Sequence, residues 1–302
     1  MTTRHWLMLI ALSVLWGATF VLAKEALPSL PPLTLTLARC VIAAAVLTPA
    51  VLLSGLKLPQ SRVEWRDFAM MSILNNIVPF SLIFWGQTMI PSGLTAVMNS
   101  TTPLMTLIVA RLLAGEALMP NKVVGLGVGV LGVAVLVGPS ALDGDKASAF
   151  GMLLVVGGAL SYGFSGLWGR RFKFVPPMVS AASQLLCSTV MMLPIAGIAD
   201  RFWMLPMPAA NVILAVLALG ILSTALAYIL FFRIMAEAGS NNVMLVTLLI
   251  PISAITLGAL RFGESLSLNQ FAGAAIIAAS LLVIDGRLFG IGTAAVAKSR
   301  RR

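Results

Sequence analysis

The chain has 302 residues, of which 59% are hydrophobic and 10% charged, and its formal net charge is +10. A mean hydropathy of +1.01 excludes an ordinary soluble domain, whose surface needs far more polar side chains. The basic excess sits in short segments between apolar runs and in the tail Lys298–Arg302, which suits anionic lipid headgroups and requires no nucleic acid.

A helix needs about 20 apolar residues to cross roughly 30 Å of hydrocarbon. Ten runs approach that length: 6–23, 33–53, 68–88, 94–112, 122–139, 149–168, 178–197, 210–233, 243–260 and 268–287. Helices are the expected element, because stretches such as Val123–Val137 are continuously apolar and lack an alternation of period two. The first run is too long for a signal h-region and has no small-residue cleavage pattern after it, so it is expected to be a span. Cys40 and Cys187 both fall inside predicted helices, as small packing residues rather than a disulfide or a metal site.

With the N-terminus placed in the cytoplasm, the cytoplasmic segments take most of the lysines and arginines, including Lys57, Arg62, Arg66, Arg170, Arg171 and Lys173. The outer segments keep only Lys24, Lys146, Arg201 and Arg261. This bias predicts cytoplasmic N- and C-termini.

The chain also repeats itself. Pro103, Gly115, Glu116, Leu118, Asn121 and Gly125 return 148 residues later as Pro251, Gly263, Glu264, Leu266, Asn269 and Gly273. Pro31-Pro32 and Pro49 match Pro176-Pro177 and Pro194 at an offset of 145, and Trp16-Gly17 matches Tyr162-Gly163 at 146. The expected fold is therefore all-α: a polytopic bundle of ten transmembrane helices. Residues 1–145 form one five-helix repeat, 146–290 a second and inverted one, and 291–302 a basic tail. Five is odd, so the second copy enters the membrane from the opposite side. Inverted repeats of this kind build carriers that work by alternating access.

Leu15-Trp16-Gly17, the mid-run Pro103 followed by Gly115-Glu116, and the echoes at Pro251 and Gly263-Glu264 resemble the drug/metabolite transporter superfamily, in its EamA-type ten-helix branch. The resemblance runs from residue 6 to about 287. It implies a secondary carrier in a bacterial inner membrane, most similar to exporters of aromatic and other neutral amino acids.

Polar groups inside a lipid-embedded helix turn to the bundle interior or to a wet cavity. The fourth run carries Thr95, Asn99, Thr102 and Thr106 on one face, beside a kink expected at Pro103. These groups either meet a substrate or bond between helices. The third run offers Asn76, Phe80 and Phe84, and the eighth answers with Thr224, Tyr228, Phe232 and Met235. Trp16 and Tyr162 add a related aromatic pair. Such a set suits an amphipathic neutral solute. Arg39 lies inside the second run; snorkelling to the interface or pairing with Glu25 accounts for it more readily than holding a substrate carboxylate. Gly125, Gly127, Gly129 and Gly132 face a second small-residue surface around Gly273, as packing elements with no phosphate-binding lysine after them.

Without a nucleotide site the expected energy source is a gradient. The predicted spans hold no mid-membrane carboxylate, and the one histidine, His5, is terminal. Facilitated movement or exchange is therefore expected, with Glu116 and Glu264 the candidates should protons be coupled. Pro79, Pro103 and Pro251 are the expected bending points. No cofactor and no metal are expected. An enzyme is the rival class: Gly163-Phe164-Ser165-Gly166 has the shape of an intramembrane serine protease motif, but no histidine base accompanies it.

Overall fold

The computed structural model describes residues 2–116, 119–142, 146–243 and 245–285, and all regular structure among them is helical. In chain order the helices are α1 (Thr3–Ala26), α2 (Pro32–Leu53), α3 (Arg62–Gln87), α4 (Ser92–Ala114), α5 (Pro120–Leu142), α6 (Lys146–Phe172), α7 (Pro177–Asp200), α8 (Ala210–Ala238), α9 (Val246–Phe262) and α10 (Leu268–Asp285). The predicted apolar runs fall on these helices to within a few residues, except that Val243 ends a separate short helix, Ser240–Val243, and residues 286–287 of the last run lie outside the described residues. Among the described residues, seven are long and apolar enough to cross a membrane, while Pro120–Leu136 of α5, α9 and Leu268–Ile284 of α10 are shorter apolar stretches. The tail 291–302 lies outside the described residues.

Local chemistry sets the helix ends. Pro32 and Pro177 sit in the first turns of α2 and α7, where a missing N–H costs nothing. Gly115 and Gly263 close α4 and α9 with φ of 64° and 65°, a left-handed conformation that favours glycine. Ser61 opens α3 with a capping box: its hydroxyl accepts from the Glu64 amide, and Glu64 accepts from the Ser61 amide.

Two helices widen into a π-turn within their length, α3 at Ile73–Ile77 and α8 at Ile221–Leu226. In α3 the cause is Pro79. The Val78 amide bonds five residues back to Ile73, and the next residue, Pro79, has no N–H to give to Leu74. The Ser161 hydroxyl donates to that Leu74 carbonyl instead, at 2.7 Å. In α8 the Thr224 hydroxyl donates to the Leu219 carbonyl at 2.8 Å, again five residues back. π-Turns redirect side chains, and these two carry Asn76 and Thr224.

The kink expected at Pro103 takes the form of an interruption of the helix. Helical structure stops at Asn99 and resumes at Thr102, with ψ near −6° at Ser100 and Thr101. Pro103 therefore opens a new helical segment instead of bending a continuous one, and the break lies before it. Pro251, by contrast, stands inside α9.

Packing is pairwise: α2 on α7, α5 on α10, α1 on α8 and α9, and α6 on α3 and α4. Glycines permit the closest approaches. A Cβ on Gly17 of α1 would stand 2.7 Å from Ser253 Cβ in α9, and one on Gly163 of α6 would stand 2.9 Å from the Met105 carbonyl in α4. Gly125, Gly132 and Gly273 meet the facing helix in the α5–α10 pair, and Gly129 meets Leu104 and Ser280. Gly127 is a correction, since nothing lies within 4 Å of its Cβ direction. Large apolar side chains such as Leu7, Ile10, Leu112 and Ile198 point outward, as a lipid-facing surface requires.

Candidate functional site

The most unusual side chain in the interior is Arg39. It is 7% exposed, so it neither snorkels nor pairs with Glu25. Glu25 instead accepts from Arg261 at 2.9 Å and from Asn211 at 2.8 Å. The guanidinium carbon of Arg39 lies 3.8 Å from the ring centre of Phe80 and 5.9 Å from that of Phe84. Its Nε donates to the Thr224 hydroxyl at 2.9 Å. That hydroxyl spends its own proton on Leu219, so it is oriented to accept. Tyr162 and Tyr228 stand within electrostatic range of the same charge.

Gly220 makes this meeting possible. A Cβ there would press on Ile42, and the glycine lets α8 come against α2 next to Arg39. Energetically the cluster is open-ended. Stacking on an aromatic ring contributes about 0.5–2 kcal/mol and a charge-assisted hydrogen bond about 1.5–3 kcal/mol. Burial of an unpaired ion costs several kcal/mol. Among the described residues no carboxylate pairs with Arg39.

The structure thus brings together Phe80, Phe84, Tyr162, Thr224 and Tyr228 around a residue that sequence reasoning had placed elsewhere. Asn76 sits one turn from Phe80; its amide nitrogen donates to Ser188 at 2.9 Å, and its oxygen is buried without a partner. Next to it, Asn75 donates to Gln184 at 2.8 Å and accepts from Ser165 at 3.1 Å. Trp16 packs on Phe231, ring centres 5.3 Å apart, and belongs to a neighbouring aromatic stack that continues through Phe232 to Tyr228.

The hydroxyls of the α4 stripe donate locally and not between helices. Thr95, Thr102 and Thr106 all donate to carbonyls of their own helix, at 2.7–2.9 Å. Only Asn99, at the break, keeps a buried oxygen without a partner. A cavity of about 190 Å³ lies near this break, between α4, α9 and α10, and Pro251 lines it. Its walls are apolar apart from Ser100 and Thr247, so the Arg39 cluster offers the richer recognition chemistry.

Charged groups collect at the helix ends. Lys24 pairs with Glu264, which also accepts from the Ser92 hydroxyl at 2.6 Å and the Ser92 amide at 3.1 Å. This joins the ends of α1 and α9 to the start of α4. Burial pushes the Glu264 carboxyl up, but the hydrogen bonds from Lys24 and Ser92 outweigh it and hold it below its ordinary value. At the opposite end Arg170 pairs with Glu116 at 2.5 Å. The Lys24 and Glu264 side chains are 32% and 11% exposed, whereas Arg170 and Glu116 are 53% and 44% exposed. The first junction is half-buried and the second exposed.

A bundle of long apolar helices with an outward apolar surface, polar groups turned inward and ions at its ends defines a multi-pass membrane protein. The EamA-like transporter family model matches residues 4–138 and again 149–285, and the chain belongs to that family. Its relatives include the uncharacterized transporter YoaV of Bacillus subtilis, 24% identical with 91% of this chain and 94% of that one covered. The uncharacterized inner membrane transporter YedA of Escherichia coli is 27% identical, covering 91% and 89%. A solved crystal structure shares the fold with a TM-score of 0.64 at 22% identity, over 94% of this chain and 98% of that chain. The protein is a membrane transporter.

Proposed function

We propose that this transporter is a secondary carrier of the bacterial inner membrane. Two inverted five-helix halves move neutral amino acids, aromatic ones among them, by alternating access and without obligatory ion coupling. The observation that carries the mechanism is a correspondence between the halves. Exchanging α1 with α6, α2 with α7, α3 with α8, α4 with α9 and α5 with α10 maps the packing pairs onto one another. The two π-turns correspond under this exchange, as do Gly115 with Gly263 and Gly17 with Gly163.

The ion pairs supply the gates. Lys24–Glu264 corresponds to Arg170–Glu116, one half-buried and one exposed. In the proposed orientation, with both termini cytoplasmic, the outer gate is latched and the inner one loose. Transport would exchange the two conditions. Glu264 is held in its charged form by Lys24 and Ser92, which favours a latch over a proton carrier. The aromatic and hydroxyl groups around Arg39 favour an amphipathic cargo.

The test is uptake and counterflow of labelled phenylalanine, threonine and methionine in proteoliposomes, without any ion gradient. Saturable movement that quickens when unlabelled amino acid is loaded on the far side is the expected result. Movement only under an imposed proton gradient would replace this reading with a proton-coupled efflux carrier. No movement under either condition would remove the amino-acid assignment.

A further inference from the structure

We propose that Arg39 is the carboxylate anchor of the transport site, which confines the cargo to solutes bearing a carboxylate beside an apolar body. This rests on the carrier reading above and narrows its substrate class.

Three observations combine. Arg39 is buried, yet among the described residues its guanidinium makes a single protein hydrogen bond, from Nε to Thr224. The two terminal nitrogens make none, and neither is among the fully enclosed atoms without a partner. They therefore border space that protein does not fill. The Phe80 ring lies against the guanidinium face and Thr224 takes the Nε–H, which together fix the plane of the group. The edge left over is the planar fork that takes a carboxylate through two parallel hydrogen bonds.

The surroundings select for the rest of the molecule. Tyr162 and Tyr228, both half-buried beside the cation, offer ring surface to an apolar side chain, and each phenol adds a hydrogen-bonding group, while the buried Phe80 and Phe84 rings back the guanidinium. No carboxylate of the described residues pairs with the cation, so a cationic solute lacking a carboxylate meets repulsion with nothing to offset it. A purely structural arginine holding α2, α3 and α8 together would leave no such preference.

The experiment uses the purified full chain, in detergent for binding followed by tryptophan fluorescence and in proteoliposomes for counterflow. The probes are phenylalanine, 3-phenylpropionate, phenylalaninamide and phenethylamine. Wild-type protein is expected to bind the two carboxylates and to ignore the amide and the amine. Arg39→Gln should weaken carboxylate binding by about tenfold or more, with partial recovery in Arg39→Lys, which keeps the charge but not the fork. Thr224→Val retains the cation, loses its orienting bond, and should weaken carboxylate binding by a smaller factor.

If Arg39→Gln fails to fold, as judged by thermal melting, wild-type discrimination between 3-phenylpropionate and phenylalaninamide decides alone. Equal handling of acid and amide overturns the anchor and leaves the carrier reading standing. Selective carboxylate binding without counterflow supports the anchor and overturns the carrier reading. Neither binding nor counterflow with any probe overturns both.

Discussion

Glu264 accepts hydrogen bonds from both the hydroxyl and the amide of Ser92, so the turn after α9 is fastened to the first turn of α4. Lys24 of α1 completes the junction. Three helices that meet at one carboxylate separate together when it is removed.

Opening at that end is therefore the expected effect of Glu264→Gln. Cys40 is fully buried beside Arg39, and in a Cys187→Ser background it reports access to the interior. Maleimide labelling of Cys40 from the Lys24 side should quicken by about tenfold, the equivalent of one lost charge-assisted hydrogen bond. Unchanged labelling would mean that the carboxylate does not hold this end closed.

The same residue makes a statement about pH. Its carboxyl is held below the ordinary value, so the stabilisation is present above the unfolded pKa of roughly 4.3 and is lost as pH falls through the folded value. Between pH 6 and 8 the group stays ionised. Counterflow rates across that window should be the same in shape for wild type and Glu264→Gln. A pH dependence in wild type that vanishes in the variant would reassign Glu264 as a proton carrier.

The opposite ion pair is expected to matter less for stability. Arg170 and Glu116 are about half exposed, and solvent-exposed pairs contribute about 0–1 kcal/mol. Arg170→Ala should hardly shift the melting temperature in detergent, whereas Lys24→Met should lower it by several degrees. Equal shifts would contradict the difference between the two ends.

Helix contact through glycine gives a stability test at the α1–α9 seam. Gly17→Ala would place a methyl group 2.7 Å from Ser253 Cβ and 2.9 Å from the Ala254 amide nitrogen, a costly overpacking of about 1–3 kcal/mol. Gly127→Ala meets open space and should be neutral or slightly stabilising, since alanine favours the helix. Thermal unfolding of the two variants side by side checks the contrast.

These residues also show what the sequence could and could not reveal. Helix positions were legible because hydrocarbon demands long apolar runs, and even the pairs Gly115/Gly263 and Glu116/Glu264 stood out by spacing. Rotation about a helix axis was not legible. Arg39 carries the same local pattern whether it snorkels or turns inward, and only the approach of α8 through Gly220 decides it. For the threonines of α4, periodicity gives a face but not a partner: their hydroxyls donate locally, to carbonyls three or four residues back. The π-turns had one faint signal, Pro79 just after Asn75-Asn76, and none in α8. The ion pairs had a signal that was overlooked: Lys24 and Arg170 repeat at 146 residues, as their glutamate partners do at 148.

The central claim is that the ends of the two halves open in turn. Its most direct measurement is a reversible lock: Lys24→Cys with Glu264→Cys, in a background where Cys40 and Cys187 are serine, reconstituted for phenylalanine counterflow. The account predicts that oxidation to the disulfide stops exchange and that a reductant restores it. Full exchange by the cross-linked protein would show that this end need not open, and alternating access between the two halves would be contradicted.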